Sequence, residues 1–133
     1  MMEGIEQIQE FLATPRVAYL STVDLQGYPH TVPTWFAVEG GDLVFSATRT
    51  RARVKHILAS PKGAVAIGGN RGEREGYLIQ GTFTMEEDPD RRLRDRILQR
   101  YVSRDAQDEL KIRLGKEDRI VVRLTPKKVI RVR

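Results

Sequence analysis

Ile5, Ile8 and Leu12 recur at helical spacing, with Glu3, Glu6 and Glu10 on other faces, which predicts a short amphipathic helix that Pro15 stops. From residue 17 the period changes to two. Val17, Tyr19, Ser21 and Val23 alternate with Ala18, Leu20 and Thr22, residues 24–29 supply turn chemistry, and a second extended run covers 31–38. This is a hairpin signature. Glu39-Gly40-Gly41-Asp42 marks another turn, followed by a third short strand at 43–46.

Between residues 50 and 60 the period becomes helical again, with Val54, Ile57 and Leu58 assigned to one face and Pro61 after the stop. Residues 64–67 form a short apolar run between glycines. Tyr77, Ile79, Phe83 and Met85 then alternate with polar neighbours, a long half-buried strand in which Gly81 marks a bulge. Asp88-Pro89 predicts a helix start, and Leu93, Ile97 and Tyr101 follow as its apolar stripe with arginines around the remaining surface. A further short helix is expected at 107–114, and a final strand at 120–124 and 129–132, bent near Pro126.

Six strands with regular turns and inserted helices predict a mainly β fold, an antiparallel barrel or strongly curved sheet. The first strands lie too close for helical crossovers, and no Gly-rich phosphate loop of Walker or Rossmann type occurs, so a parallel doubly wound sheet is disfavoured. The 133 residues fit one domain, 1–133, around one core. No apolar run is long enough to span a bilayer, and the acidic N-terminal stretch is unlike a signal peptide, so cytoplasmic residence without membrane association is expected. Zero cysteines exclude disulfides, a thiol nucleophile and Cys-ligated metals; with only His30 and His56 besides, no metal site is expected.

Twenty-three Lys and Arg against 18 Asp and Glu give a net charge of +5 and imply an anionic partner. The densest cationic stretch is Ser46-Ala47-Thr48-Arg49-Thr50-Arg51-Ala52-Arg53-Val54-Lys55, at a strand-to-helix junction. Hydroxyls, unpaired amides, the helix dipole and arginines gather there, which suits phosphate, although a solvated basic face is the plainer alternative. A second feature is Pro29-His30-Thr31-Val32-Pro33-Thr34-Trp35-Phe36. Proline within a strand implies an edge, and the only tryptophan follows two residues later, so a planar ring fits there as well as ordinary core packing does. Nucleic acid is disfavoured as a partner, because Tyr19, Trp35, Phe45, Tyr77 and Phe83 are assigned mostly to core-facing positions rather than to an exposed stacking platform.

Taken in order, Arg16-Val-Ala-Tyr-Leu-Ser-Thr-Val-Asp24, Gly27-Tyr-Pro-His-Thr-Val-Pro-Thr-Trp-Phe36, Leu43-Val-Phe-Ser46 and Arg53-Val-Lys-His-Ile-Leu58, closed by Ser60-Pro61, resemble the split-barrel proteins related to pyridoxamine 5′-phosphate oxidase. Weaker similarity continues through Arg100-Tyr101 and Thr125-Pro126. The resemblance implies a six-stranded antiparallel split β-barrel of the FMN-binding type, a homodimer with cofactor sites between subunits, and FMN or the deazaflavin coenzyme F-420 as cofactor, with FMN slightly preferred. Val32, Pro33, Thr34 and Trp35 would lie along the tricyclic ring. Ser46, Ala47, Thr48, Arg51, Arg53 and Lys55 would hold the phosphate end, and Arg49, Arg71 and Arg74 would serve a polyanionic deazaflavin tail.

Arg53 stands where the family has a lysine, Ala52 where an arginine is common, and His56 where an asparagine is common. The C-terminal Arg- and Trp-containing segment of the true oxidase is not found after the last strand, so oxidation of pyridoxine phosphate is not expected. The implied activity is hydride exchange between the cofactor and a small-molecule substrate, with no catalytic side chain assigned. A non-catalytic flavin or haem carrier on the same fold is the alternative.

Overall fold

The computed structural model describes residues 4–115 and 117–132. Glu3 of the predicted first helix lies outside them. A 3-10 turn, Glu6–Ile8, leads into α1, Gln9–Ala13. The strands and helices that follow are β1, Ala18–Val23; β2, Pro29–Thr34; β3, Ala37–Glu39; β4, Asp42–Thr48; α2, Ala52–Ala59; β5, Lys62–Gly68; β6, Gly76–Glu86; α3, Arg92–Tyr101; α4, Arg104–Leu114; and β7, Arg119–Arg131.

All seven strands belong to one antiparallel sheet in the order β2-β1-β5-β6-β7-β4-β3. Its two edges are therefore consecutive in the chain. Only Trp35 and Phe36 separate them, so at this corner the edges lie within about 11 Å, the reach of three Cα–Cα links. The sheet must roll up to bring them there, yet β2 and β3 do not pair. This is a barrel split along one seam.

The run read as one strand over 31–38 breaks at that seam, which is why seven strands replace the expected six. Phe36 is fully buried, and the chain turns to place it in the barrel interior, moving from one edge strand to the other. Ala18, Leu20, Phe45, Ala47, Val65, Ile67, Ile79, Phe83, Val122 and Leu124 fill the same interior, and α2 closes it with Val54 and Ile57. Leu58 is 74% exposed, so it does not share their face.

The bulge falls where Gly81 predicts. Gln80 pairs with Lys128 but Gly81 with Pro126, leaving Lys127 as the extra residue in an otherwise continuous β7. A Cβ on Gly81 would lie 2.2 Å from the carbonyl oxygen of Thr125, an approach only glycine permits. The bulge lets β7 run on as one strand past Pro126, near which the bend was expected.

Outside the barrel, α3 packs Leu93 and Ile97 on Ala37, Val44 and Val121. Its start differs from expectation. Pro89 and Asp90 lie in a turn ahead of the helix, while the Asp88 carboxylate accepts from the amides of Leu93 and Arg94 at 3.2 and 3.1 Å. The cap thus acts across the turn. α4 buries none of its residues.

Candidate functional site

The structure gathers Pro33, Thr34 and Trp35 from the seam, Ser46 from β4 and Arg53 from α2 around one cleft of about 370 Å³. α3 contributes Arg94, Ile97 and Leu98, α4 contributes Leu110, Arg113 and Leu114, and β7 contributes Arg119. One wall is apolar and partly aromatic. The lining includes four arginines and no carboxylate.

At the seam, backbone chemistry follows from the prolines. In the β1–β2 ladder the amide of Asp24 donates to Tyr28, which fixes the alternation so that residues 29, 31 and 33 point their backbone groups away from β1. Two of these three are proline. The free edge therefore offers carbonyl acceptors and only the Thr31 N–H as a donor. The Trp35 ring is 38% exposed and stacks on Tyr101, centroids 5.0 Å apart. Tyr101 in turn donates its hydroxyl proton to the Arg16 carbonyl at 2.7 Å and accepts from the Phe36 amide at 3.3 Å. Tyr19 is 44% exposed. Tyr19 and Trp35 were assigned to the core and are not in it: β1 buries the face opposite Tyr19, and Trp35 lies at the seam between the edge strands.

At the cationic end, Arg119 is held by its neighbours. Nε donates to Ser46 Oγ at 3.0 Å, Nη2 to the Ser46 carbonyl at 3.2 Å, and Nη1 to Thr48 Oγ1 at 3.3 Å and to Glu117. The contact holds the Glu117 carboxyl below the usual range. Because Ser46 Oγ accepts from Arg119, its own proton remains available to the cleft. Arg53 differs. It is half-buried, with no hydrogen-bond or ion-pair partner for its side chain among the described residues, and burial lowers its pKa, with Arg51 and Arg119 lowering it further. A guanidinium desolvated beside two others is disfavoured in its charged form.

The remaining residues are placed differently. Ala47 is fully buried and Val32 packs against the barrel core, so their side chains do not line the cleft. Thr48, Arg51 and Lys55 do not line it either; Thr48 is engaged with Arg119 and Glu117, and Arg51 and Lys55 are exposed. Arg49 pairs with Glu87 and Asp118 at 2.8 and 3.1 Å and is not free for a ligand tail. Arg71 and Arg74 lie exposed in the β5–β6 loop, away from the cleft lining.

Sequence reasoning missed Arg94, Arg113 and Arg119, along with the leucines of α4. Arg94 had a signal: at i−3 and i−4 from Ile97 and Leu98, it is a cation on the apolar stripe of α3, and it is 6% exposed rather than at the surface. Arg119 had none, since only the β4–β7 register brings it to Ser46. The two histidines lie elsewhere, their rings 4.4 Å apart, with His56 bonded to Thr22 and His30 to Asp24.

A rolled antiparallel sheet whose split carries an aromatic wall beside a cleft lined by four arginines has the architecture of a split barrel. The profile of the pyridoxamine 5′-phosphate oxidase family matches residues 5–133, and the chain belongs to that family. No curated protein sequence matches it. Among solved structures, an F-420 reductase is similar at a TM-score of 0.74 and 22% identity, over 92% of this chain and 94% of that one. A conserved hypothetical protein from Mycobacterium tuberculosis reaches 0.78 at 18% identity, over 98% and 85%. A haem storage protein from Vibrio cholerae reaches 0.71 at 16% identity, over 97% and 94%. At these identities the likeness is one of fold.

Proposed function

We propose that the protein is an FMN- or F-420-dependent oxidoreductase that exchanges hydride with a small planar substrate. The observation that carries this reading is the unpartnered, half-buried Arg53 guanidinium at one end of a cleft whose other wall is Pro33, Thr34 and Trp35. A tricyclic ring ending in a phosphate has both requirements, a flat apolar body and an anionic handle. Arg53 and Ser46 would hold the phosphate, with Arg51 adding positive potential from the start of α2. The carbonyls of the β2 edge would meet donor groups on the ring, and Leu110 and Leu114 would keep water from its face. When bound, the cofactor supplies the hydride chemistry. The chain supplies position, charge and shelter, which matches a lining without a carboxylate or a histidine.

The whole chain serves as one binding domain, and cytoplasmic residence suits it; no described helix is long and apolar enough to cross a membrane. Family membership supports a homodimer with the cofactor between subunits. The outer face of β1, β5 and β6 also supports it, since Tyr19 lies there exposed and Ala64, Ala66 and Leu78 partly exposed on a sheet surface. Light scattering tests the assembly.

Absorbance and fluorescence spectra of freshly purified protein, followed by titration with FMN and F-420, test the cofactor. Saturable micromolar or tighter binding of one of them is expected, and no binding of either overturns the reading. The fold neighbour that stores haem raises a carrier as the second reading. Neither histidine lines the cleft, so among the described residues the cleft offers no imidazole to haem iron. Bound cofactor that no reductant or substrate turns over would favour a carrier.

A further inference from the structure

Arg94 is 6% exposed and sits among the buried Leu93, Ile97 and Leu98 of α3. Its Nε and Nη2 both donate to a single oxygen of Asp95, at 3.0 and 2.8 Å. Its Nη1 donates to nothing among the described residues, and the side chain lines the cleft. The buried side-chain atoms without a partner among the described residues are Glu73 Oε1 and Arg100 Nε, so Arg94 Nη1 is an accessible donor that opens on the cleft rather than one sealed in the core. Asp95 is the adjacent residue, is partly exposed, and satisfies only one side of the group.

Arg94 also lines a smaller cavity of about 170 Å³ behind the cleft, and shares Ser46, Leu114 and Arg119 between the two. It therefore lies at the Ser46–Arg119 end, where the phosphate is expected. From α2, Arg53 reaches the same cleft with its whole guanidinium unpartnered. Two guanidiniums with open donors and the free Ser46 hydroxyl proton line the cleft, whose own lining holds no carboxylate, while Asp88, Glu117 and Asp118 line only the smaller cavity behind it.

We infer that Arg94 is a further anion-binding residue, so that a phosphate is gripped between Arg53 of α2 and Arg94 of α3, with Ser46 donating between them. This rests on reading the cleft as the cofactor site. Arg119 is then a positioning residue that turns the Ser46 hydroxyl inward. Since α4 buries no residue and meets the cleft through Leu110, Arg113 and Leu114, the bound phosphate also fastens the α3–α4 side of the cleft to the α2 side.

The test compares ligands that differ only in the phosphate. Wild type and Arg94→Gln are titrated with FMN and riboflavin, or, for a protein that takes the deazaflavin, with F-420 and its phosphate-free chromophore. R94Q is expected to weaken the phosphorylated ligand ten- to hundred-fold, the span of a charged hydrogen bond, and to leave the phosphate-free ligand within two-fold. Equal weakening of both, or of neither, overturns the inference. Should R94Q fail to fold, the double variant R94M/D95L removes the buried charge together with its partner and carries the same comparison.

Inorganic phosphate separates this inference from the cofactor reading. Millimolar phosphate should raise the thermal midpoint of the ligand-free wild type, and this rise should vanish in the Arg94 variant. If wild type binds no tricyclic cofactor, the proposed function fails while a phosphate response lost with Arg94 upholds the grip. A response identical in both proteins, or absent from wild type, overturns it.

Discussion

The indole of Trp35 lies on the phenol ring of Tyr101 with centroids 5.0 Å apart and planes within 3° of parallel. One partner belongs to the seam between the edge strands and the other to the last turn of α3, so the contact sets the position of the cleft's aromatic wall. Tyr101 adds two hydrogen bonds to backbone on both sides of the corner, at Arg16 and Phe36. Tyr101→Phe keeps the stack but leaves these backbone groups unpaired. Chemical denaturation should show a loss of about 1–3 kcal/mol, with cofactor affinity nearly unchanged.

Arg53→Gln acts in the opposite way. It removes a desolvated cation that Arg51 and Arg119 already disfavour, so the ligand-free thermal midpoint should hold or rise. Affinity for the phosphorylated cofactor should fall by about 1.5–3 kcal/mol. A large drop in ligand-free stability would assign Arg53 a structural role.

Acid should loosen the β3–β4 corner. Glu39 accepts from Arg92 at 2.7 and 3.2 Å, from Arg96 at 3.3 Å and from Arg123 at 3.0 Å. Arg92 foremost, with Arg123, holds its carboxyl down to about 2 against the opposing effect of burial. A folded-state value below the unfolded one contributes stability that is present above pH 4.5 and lost as pH falls towards 2. Glu39→Gln should flatten that part of the stability profile and cost about 1–2 kcal/mol at neutral pH, after allowance for solvent screening.

Gly81→Ala should destabilise by about 1–3 kcal/mol or more, because the new methyl meets the Thr125 carbonyl oxygen and the bulge at Lys127 must shift. Thermal unfolding measures this directly. Ligand-free protein suffices for the measurement.

Leu93 and Ile97 share one apolar cluster but differ towards the cleft, which Ile97 alone of the pair lines. Each change to alanine should cost about 2–5 kcal/mol. Only Ile97→Ala should also alter ligand affinity. Parallel unfolding and binding measurements separate the two.

Much of this molecule is legible along the chain. Alternation at 18–23 and 77–85 and the helical periods near residues 54 and 93 appear as strands and helices, because burial of one face leaves a local, periodic trace. The strand-to-helix junction that carries Ser46 and Arg53, and the edge character of Pro33, are equally local. The split at Trp35–Phe36 is not, since an apolar run reads the same whether it continues one strand or crosses to another.

Ser46 and Arg119 show what only the tertiary structure decides. They are 73 positions apart and meet because β4 and β7 pair in one register. No short-range pattern encodes that pairing, whose energy comes from the whole sheet closing on its core. Arg94 falls between the two cases: its place on the apolar stripe of α3 is written in the sequence, but the cleft it faces exists only once α2, α3, α4 and the sheet have packed together. Periodicity determines which side of an element is buried, and long-range pairing determines what that side confronts.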